Sequence, residues 1–461
     1  MCAISGVFFK KPPDAYTLVF MRNLYNRIQE DSRERGRDSV GMAMLDSNLG
    51  VVSMKSVVPK VLDIPFSSST IAVIQNYRAE PTTEFVENKS LDDVQPYSYD
   101  GYYVVHNGTI ANDHEFTDGL ELPTKVDSQA IPVALSQGRF NELVGSQATA
   151  YFYEKDGDLT LYRNYQPLSV FWLPRHNAYV FVSLDEYFTD NVLKQDYVKL
   201  DFPPYSSIVL SRNPMMSEVT SRRLPTNGHK AIVVCSGGLD STVAATIACE
   251  ECNEITIAHF LYGCQAESQE TKAVTKVTQS LQAKFPNKKI TLKMFPLDYI
   301  KELGGSPLTT GGEIAHGEAG AEFAHEWVPA RNTVMIALIA AYCDRYDIGR
   351  IYLGLNLEEA GAYEDNNVVY YRFFNDVLDV GTKSRPRIYN PLDCLMKHEI
   401  VKLALKIGAP IEHSWSCYKG GEIHCGDCGP CYLRSKAFKM NGIKDMIPYK
   451  SLPSNWWENC K

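Results

Sequence analysis

No stretch of this 461-residue chain approaches the roughly 20 consecutive apolar residues that a membrane-spanning helix requires, so no membrane partner is expected. The N-terminus has too short an apolar patch for a secretory signal, and Lys10 and Lys11 stand on the wrong side of it. Positive charge is also in deficit. With 46 lysines and arginines against 55 acidic residues, the net charge of −9 excludes a global basic field that would hold nucleic acid. Internal repeats and low-complexity tracts are missing. The twelve cysteines are scattered, apart from a helical pair (Cys249, Cys252) and one tight cluster near the C-terminus. That pattern argues against a disulfide scaffold and for a reducing compartment with one metal site, which predicts a cytoplasmic protein, in the host cytoplasm if it is viral.

What is present changes character along the chain. Residues 1–225 carry short alternating aromatic-bearing runs (50–58, 102–105, 150–152, 159–162, 170–173 and 178–183) punctuated by turn residues, which predicts antiparallel strands. Asp14–Glu30 and Ser128–Ser136 read as helices. Residues 213–228, with Pro225 and Gly228, read as a linker between a first domain (2–212) and a second (229–461). Beyond it, strand-like runs at 231–235, 255–261, 290–295 and 351–355 alternate with helical stretches at 239–251, 267–284 and 332–346. Such alternation predicts a doubly wound parallel sheet. The glycine-rich stretch 304–320 would suit a lid.

The strongest local signal is Ser236-Gly-Gly-Leu-Asp-Ser241, where the buried run 231–235 breaks and a helix begins. Adjacent glycines let backbone N–H groups turn toward an anion, and the helix N-terminus adds partial positive charge. Ser236, Gly237, Gly238, Asp240 and Ser241 could hold the phosphates of ATP and a magnesium ion. The spacing is not that of the Walker loop, whose lysine is missing. The segment resembles the PP-loop of enzymes that split ATP between its α- and β-phosphates and adenylate an oxygen.

Cys2 follows the initiator Met, whose removal would give it a free α-amine with a pKa of roughly 7.7–8.0, able to act as a base beside the thiol. Segments 35–41, 76–84, 106–112 and 126–128 follow in order. Together with Cys2 they resemble the class II glutamine amidotransferase domain, an N-terminal-nucleophile (Ntn) hydrolase with an αββα sandwich, over about residues 2–200. The resemblance implies that Cys2 attacks the carboxamide of L-glutamine and releases ammonia. It implies that Asn107 and the Gly108 N–H form the oxyanion hole, that Arg78 pairs with the α-carboxylate, and that Asp127 takes the α-ammonium. Taken alone, Asn107-Gly108 reads as a hairpin turn and Asp127-Ser128 as a helix cap.

Cys417, Cys425, Cys428 and Cys431 form C-x7-C-x2-C-x2-C. Four soft ligands on tight turns suit tetrahedral zinc in a closed, structural site, and an iron–sulfur cluster is the alternative. His424 is superfluous to it. With the PP-loop, Tyr262-Gly263, the run Trp327–Asn332, Gly354, Asn390-Pro-Leu392 and Lys397, this cluster resembles the QueC family of ATP-dependent 7-cyano-7-deazaguanine synthases over about residues 230–440. The resemblance implies that Arg331 and Asn332 face the nucleotide phosphates at a helix start. Lys397 either offsets pyrophosphate charge or is a surface lysine. Segment 358–365 corresponds to the family's substrate-side loop with divergent residue types.

The whole therefore resembles a Gat-QueC fusion, a family linked to archaeosine-type bases. The first expectation is a glutamine-dependent conversion of the 7-cyano group of a deazaguanine, in DNA or tRNA, to a formamidine, with ammonia passing inside the protein. Glutamine- and ATP-dependent synthesis of the nitrile from 7-carboxy-7-deazaguanine comes next. An asparagine-synthetase-like enzyme and an inactive nucleotide-sensing module are the further alternatives. The acceptor is open between free base, DNA and tRNA, and homo-oligomerisation is compatible with the sequence.

Overall fold

A computed structural model describes residues 2–80, 89–213, 219–222, 229–317, 325–360 and 363–460. Parts of four stretches named above lie outside them: 81–84, 214–218 with 223–228, 318–320, and 361–362. The chain divides into two compact units, Met1–Arg223 and Leu224–Lys461.

The first unit is built on two antiparallel sheets. One contains β1 (Ala3–Phe9), β2 (Ser39–Asp46), β3 (Val51–Ser56), β4 (Thr70–Arg78), β9 (Ser169–Leu173), β10 (Ala178–Val182) and β11 (Val198–Lys199), in the order β11-β9-β10-β1-β4-β2-β3. The other contains β5 (Tyr97–Tyr99), β6 (Tyr102–Ile110), β7 (Gly145–Tyr153), β8 (Leu159–Arg163), β12 (Ser206–Leu210) and β13 (Val219–Arg222), in the order β13-β12-β8-β7-β6-β5. Side chains alternate between faces along each strand. Ile4 and Phe8 of β1 accordingly join Val105, Ala148 and Leu161 between the sheets, while Ala3, Val7 and Phe9 pack under helix α1 (Ala15–Arg35). Helix α2 (Ala130–Ser136) covers the far face of the second sheet through Ala130, Ile131 and Val133 against Val104 and Ile110. The result is the αββα sandwich. Helix α1 starts where the sequence predicts, because the Asp14 side chain accepts the Thr17 N–H at 2.7 Å, and it runs on to Arg35.

Two local expectations differ from the structure. Asn107-Gly108 is not a hairpin turn but lies within β6, paired with Ala148 and Gln147 of β7. Within the stretch expected as linker, Val219–Arg222 forms β13 and pairs antiparallel with β12, where it covers backbone groups that an edge strand would leave open.

The second unit holds one parallel sheet of β14 (Lys230–Val234), β15 (Glu254–Leu261), β16 (Lys289–Pro296), β17 (Arg350–Tyr352) and β18 (Arg387–Tyr389), in the order β16-β15-β14-β17-β18. Helices α3 (Leu239–Glu251) and α4 (Glu267–Lys284) bury Ala245, Cys249, Val274 and Leu281 against Ala231 and Val233. Helix α5 (Arg331–Tyr346) buries Met335, Ile336 and Ile339 against Ile232 and Ala258 on the opposite face. Helices α7 (Lys397–Ile407) and α8 (Gly429–Met440) pack on Leu239 and Val243 of α3, with α6 (Val368–Gly381) between β17 and β18 in the chain. The chain leaves β14 in one direction toward β15 and β16 and returns to its other side at β17. That reversal opens a crevice at the carboxyl ends of β14 and β17, where such sheets bind ligands. Among the described residues no helix is long and apolar enough to cross a membrane.

Candidate active sites

In the first unit, Cys2 precedes β1, beside the end of β4, where Ala3 pairs with Tyr77. Its thiol is buried and points to the Ala79 carbonyl at 3.8 Å. Burial pushes the thiol pKa up and the Arg78 charge pulls against it, so a proton acceptor is required for attack. Asn107 has the strand parity of Val105, which faces the space between the sheets. Its side chain is fully buried, and neither Oδ1 nor Nδ2 has a hydrogen-bond partner among the described residues. An unpaired buried amide costs ~1–3 kcal/mol. Such a group is ready for a charge that appears only during reaction. Gly108 has φ +150, and a Cβ there would come 1.9 Å from the Ser146 carbonyl oxygen, so only glycine fits.

Arg78 is 2 % exposed. Its Nη1 donates to the Asp93 carbonyl at 2.8 Å and to the Tyr97 hydroxyl at 3.2 Å, and lies 3.8 Å from Glu80 Oε1. Asp127 accepts the Ile110 N–H at 2.5 Å, the Ser128 N–H at 2.6 Å and the Ser128 hydroxyl at 3.0 Å. Its carboxylate thus keeps about one acceptor position for a ligand. Tyr97 went unread in the sequence. Burial pushes its phenol far up, Arg78 pulls it down, and the charges of Asp127 and Cys2 add to the rise. Its hydroxyl accepts from Arg78 and donates to the Asp93 carbonyl at 2.8 Å, which ties two separate segments together. His106 is buried and bridges Ser128 Oγ (2.8 Å) and the Ser146 carbonyl (3.1 Å), and burial lowers its pKa.

In the second unit, Gly237 takes φ +85 beside α4, where a Cβ would lie 2.8 Å from the Val274 nitrogen. This turn aims the loop at the first turn of α3. The Ser236 hydroxyl accepts the Gly238 N–H at 3.1 Å and lies 3.3 Å from Ser241 Oγ. Asp240 Oδ2 meets the ammonium of Lys397 at 2.5 Å and the Asn356 amide at 3.0 Å, while Oδ1 is buried without a partner among the described residues. Lys397 also reaches Glu359 at 3.1 Å. Burial opposes its charge, but the two carboxylates outweigh burial and hold its pKa above the usual lysine range. The surface-lysine alternative is thereby excluded: Lys397 is 8 % exposed and lines the crevice. Arg331 and Asn332 do begin α5. Arg331 reaches the Tyr262 hydroxyl at 3.4 Å, and the Asn332 amide donates to Asn366 at 2.8 Å. Ser236, Gly238, Asp240, Arg331, Glu359 and Lys397 line one cavity of about 220 Å³. Glu359, Asn356, Glu270 and Tyr418 had no assigned role in the sequence, since no contiguous pattern marks them.

Cys417, Cys425, Cys428 and Cys431 bring their four sulfurs within 4.8 Å of one another. The Cys425–Cys431 sulfur separation is 3.8 Å. A tetrahedral ion with ~2.3 Å metal–sulfur bonds needs edges of about 3.8 Å, so the set fits a single ion. A cubane cluster would interpose several irons and spread the sulfurs. Backbone N–H groups of Lys419 and Cys425 point at Cys417 Sγ (both 3.4 Å), and that of Cys428 at Cys425 Sγ (3.3 Å), which favours thiolates. His424 is no ligand, because its Nε2 accepts the Ser416 N–H at 2.9 Å. The segment leading into this site closes on the PP-loop, where the Trp415 N–H donates to the Gly237 carbonyl at 2.8 Å. Ser416, Tyr418, Pro430 and Arg434 complete the cavity wall.

A buried thiol and an unpartnered buried amide mark the first unit, and a glycine-turned loop with a Lys–Asp–Glu cluster marks the second, in an enzyme of the amidotransferase and PP-loop class. Residues 230–442 match the family described as "Queuosine biosynthesis protein QueC". The chain is 38% identical over 477 residues to the 7-cyano-7-deazaguanine synthase of Saccharolobus solfataricus, covering 97% of this chain and 99% of that one. It is 37% identical to 7-cyano-7-deazaguanine synthase 2 of Sulfurisphaera tokodaii, covering 98% and 100%. The chain belongs to the 7-cyano-7-deazaguanine synthase family. Among solved structures, a glutamine phosphoribosylpyrophosphate amidotransferase from B. subtilis covers 88% of this chain and 93% of its own. At 12% identity and a TM-score of 0.36, that likeness carries no argument.

Proposed function

We propose that this enzyme makes 7-cyano-7-deazaguanine from 7-carboxy-7-deazaguanine, with glutamine as nitrogen donor and ATP as activator. One observation carries the reading: relatives matching both units end to end bear the nitrile synthase's name. It moves the nitrile ahead of the formamidine, which neither of these names mentions.

In this reading Cys2 Sγ attacks the glutamine carboxamide, and Asn107 with the Gly108 N–H receives the oxyanion. Arg78 and Asp127 orient the amino acid by its carboxylate and ammonium. Hydrolysis of the thioester returns glutamate, and ammonia goes to the PP-loop site. There Ser236, Gly237, Gly238 and Ser241, with Arg331 and Asn332, hold the phosphates of ATP. Lys397 offsets charge on the leaving pyrophosphate. The free Asp240 Oδ1 suits magnesium, which would supply further charge neutralisation. The four-cysteine set is best suited to zinc, held as a structural ion that fixes the cavity wall. Two activations are needed, one to turn the carboxylate into the amide and one to turn the amide into the nitrile. This is why an intact nucleotide loop fits the nitrile better than amidine formation, which needs no leaving group.

The test is incubation with amide-¹⁵N glutamine and ATP against free 7-carboxy- and 7-cyano-deazaguanine and nucleic acids bearing them, read by mass spectrometry. Label in the nitrile of the free base supports the proposal. Label in an amidine, or only in nucleic acid, would replace it with the formamidine reading.

A further inference from the structure

Nitrogen insertion at the second site needs a base at both of its stages, for three nitrogen-bound protons in all. When ammonia attacks an acyl adenylate, the C–N bond forms, the C–O bond to AMP breaks, and the new nitrogen must shed a proton. When the resulting amide oxygen is adenylated by a second ATP, with pyrophosphate leaving, both N–H protons must go, one as the O-adenylated imidate forms and one as AMP departs with the C–O electron pair to give the nitrile.

Most titratable groups of the cavity are already engaged. Asp240 and Glu359 both hold Lys397. His259 has Nδ1 at 3.0 Å from the Cys235 carbonyl and Nε2 at 3.2 Å from the Thr271 hydroxyl, so neither nitrogen faces the cavity with a free lone pair. Cys235 donates to Ser241 at 3.5 Å. Tyr262 and Tyr418 are protonated, since burial drives both phenols far up. Glu270 differs. It sits in the first turn of α4, half-buried in the cavity wall, and its own carbonyl lies against Gly237 of the PP-loop. Its carboxyl has one hydrogen-bond contact among the described residues, a thiol proton from Cys264 at 3.6 Å.

We propose that Glu270 is the base of the nitrogen-transfer steps. Its carboxylate takes the proton from the nitrogen in each step and returns it to solvent between them. This rests on the nitrile-forming reading above. The groups facing it set its range. Arg331 from α5, Tyr262 and Cys264 from the turn after β15, Cys235 after β14 and Glu267 on its own helix surround it. Burial raises its pKa, with Arg331 pulling down, to about 7, where a carboxylate is a useful base at neutral pH.

The test uses the full chain with saturating ammonium in place of glutamine, so that the first site is not read. ATP–pyrophosphate exchange in the presence of the carboxy-deazaguanine reports adenylation, and mass spectrometry reports amide and nitrile. E270Q is expected to keep exchange within a fewfold while nitrogen transfer falls by ~10²–10⁴. Wild-type transfer should decline as pH drops through about 7, with that limb lost in E270Q and shifted toward lower pH in E270D. E270Q transferring nitrogen at the wild-type rate with the limb intact would overturn the proposal. So would E270Q losing exchange and transfer in equal measure, which marks a nucleotide-binding or structural role. If the wild type itself makes neither amide nor nitrile, the functional reading fails instead.

Discussion

The two units solve opposite electrostatic problems. In the first unit the candidate groups are neutral or already paired: an unpartnered buried amide, a glycine N–H, and an arginine and an aspartate each tied to several partners. Around the PP-loop, charges are concentrated and shared, with one ammonium between two carboxylates and a guanidinium against a tyrosine. In the proposed reaction the first chemistry develops a single transient negative charge from a neutral amide, which preorganised dipoles can meet. The second handles a polyanion, which needs full charges. Their scaffolds match. Strands of two facing sheets fix the first site from several sides, whereas loops at the ends of a parallel sheet leave the second open to a larger ligand.

That division can be broken one residue at a time. Cys2→Ala should abolish glutamine-driven synthesis while ammonium-driven synthesis stays near wild type; a glutaminase assay beside an ammonium-fed assay reads both. Lys397→Met should cut ammonium-driven synthesis by ~10²-fold or more and leave glutaminase intact. It should also cost ~3 kcal/mol in denaturant unfolding of the second unit, because the largely buried Asp240 loses its cation, while the half-exposed Glu359 adds little. Asn107→Ala removes one oxyanion donor, so glutaminase kcat should drop ~10²–10³-fold with KM for glutamine little changed. An equal loss in the ammonium-fed reaction would show that the sites are not separable as described. The smallest expected effect is on the cysteine set. Cys428→Ser should lower metal content by elemental analysis, lower Tm, and weaken ATP binding, since the Trp415 contact to Gly237 hangs on that segment.

Much of this was legible in one dimension. Helices α3 and α4 fall where their apolar periodicity predicts, and the αββα sandwich follows the ordered segments around Cys2. Strand β1 was not seen. All seven of its residues are buried, so the alternation that marks a half-exposed strand is missing. Asn107-Gly108 reads as a turn because glycine at positive φ is common there, yet here the same freedom serves a close approach to β7 inside a strand. β13 hid in a stretch read as linker, and β18 is only three residues long. Glu270 was masked because an acidic residue in a helix's first turn is ordinary on helix-dipole grounds.

Contiguous chemistry belonged to the sequence alone. The glycine-turned anion loop and the overlapping C-x-x-C steps are local geometries, carried by residues a few positions apart whatever surrounds them. Tertiary structure decided who shares whose charge. Asp240 and Lys397 stand 157 residues apart, and Tyr97 meets Arg78 across 19. No periodicity encodes such pairings, because they depend on which carboxyl meets an ammonium within bonding distance and which, like Glu270, makes no ion pair among the described residues.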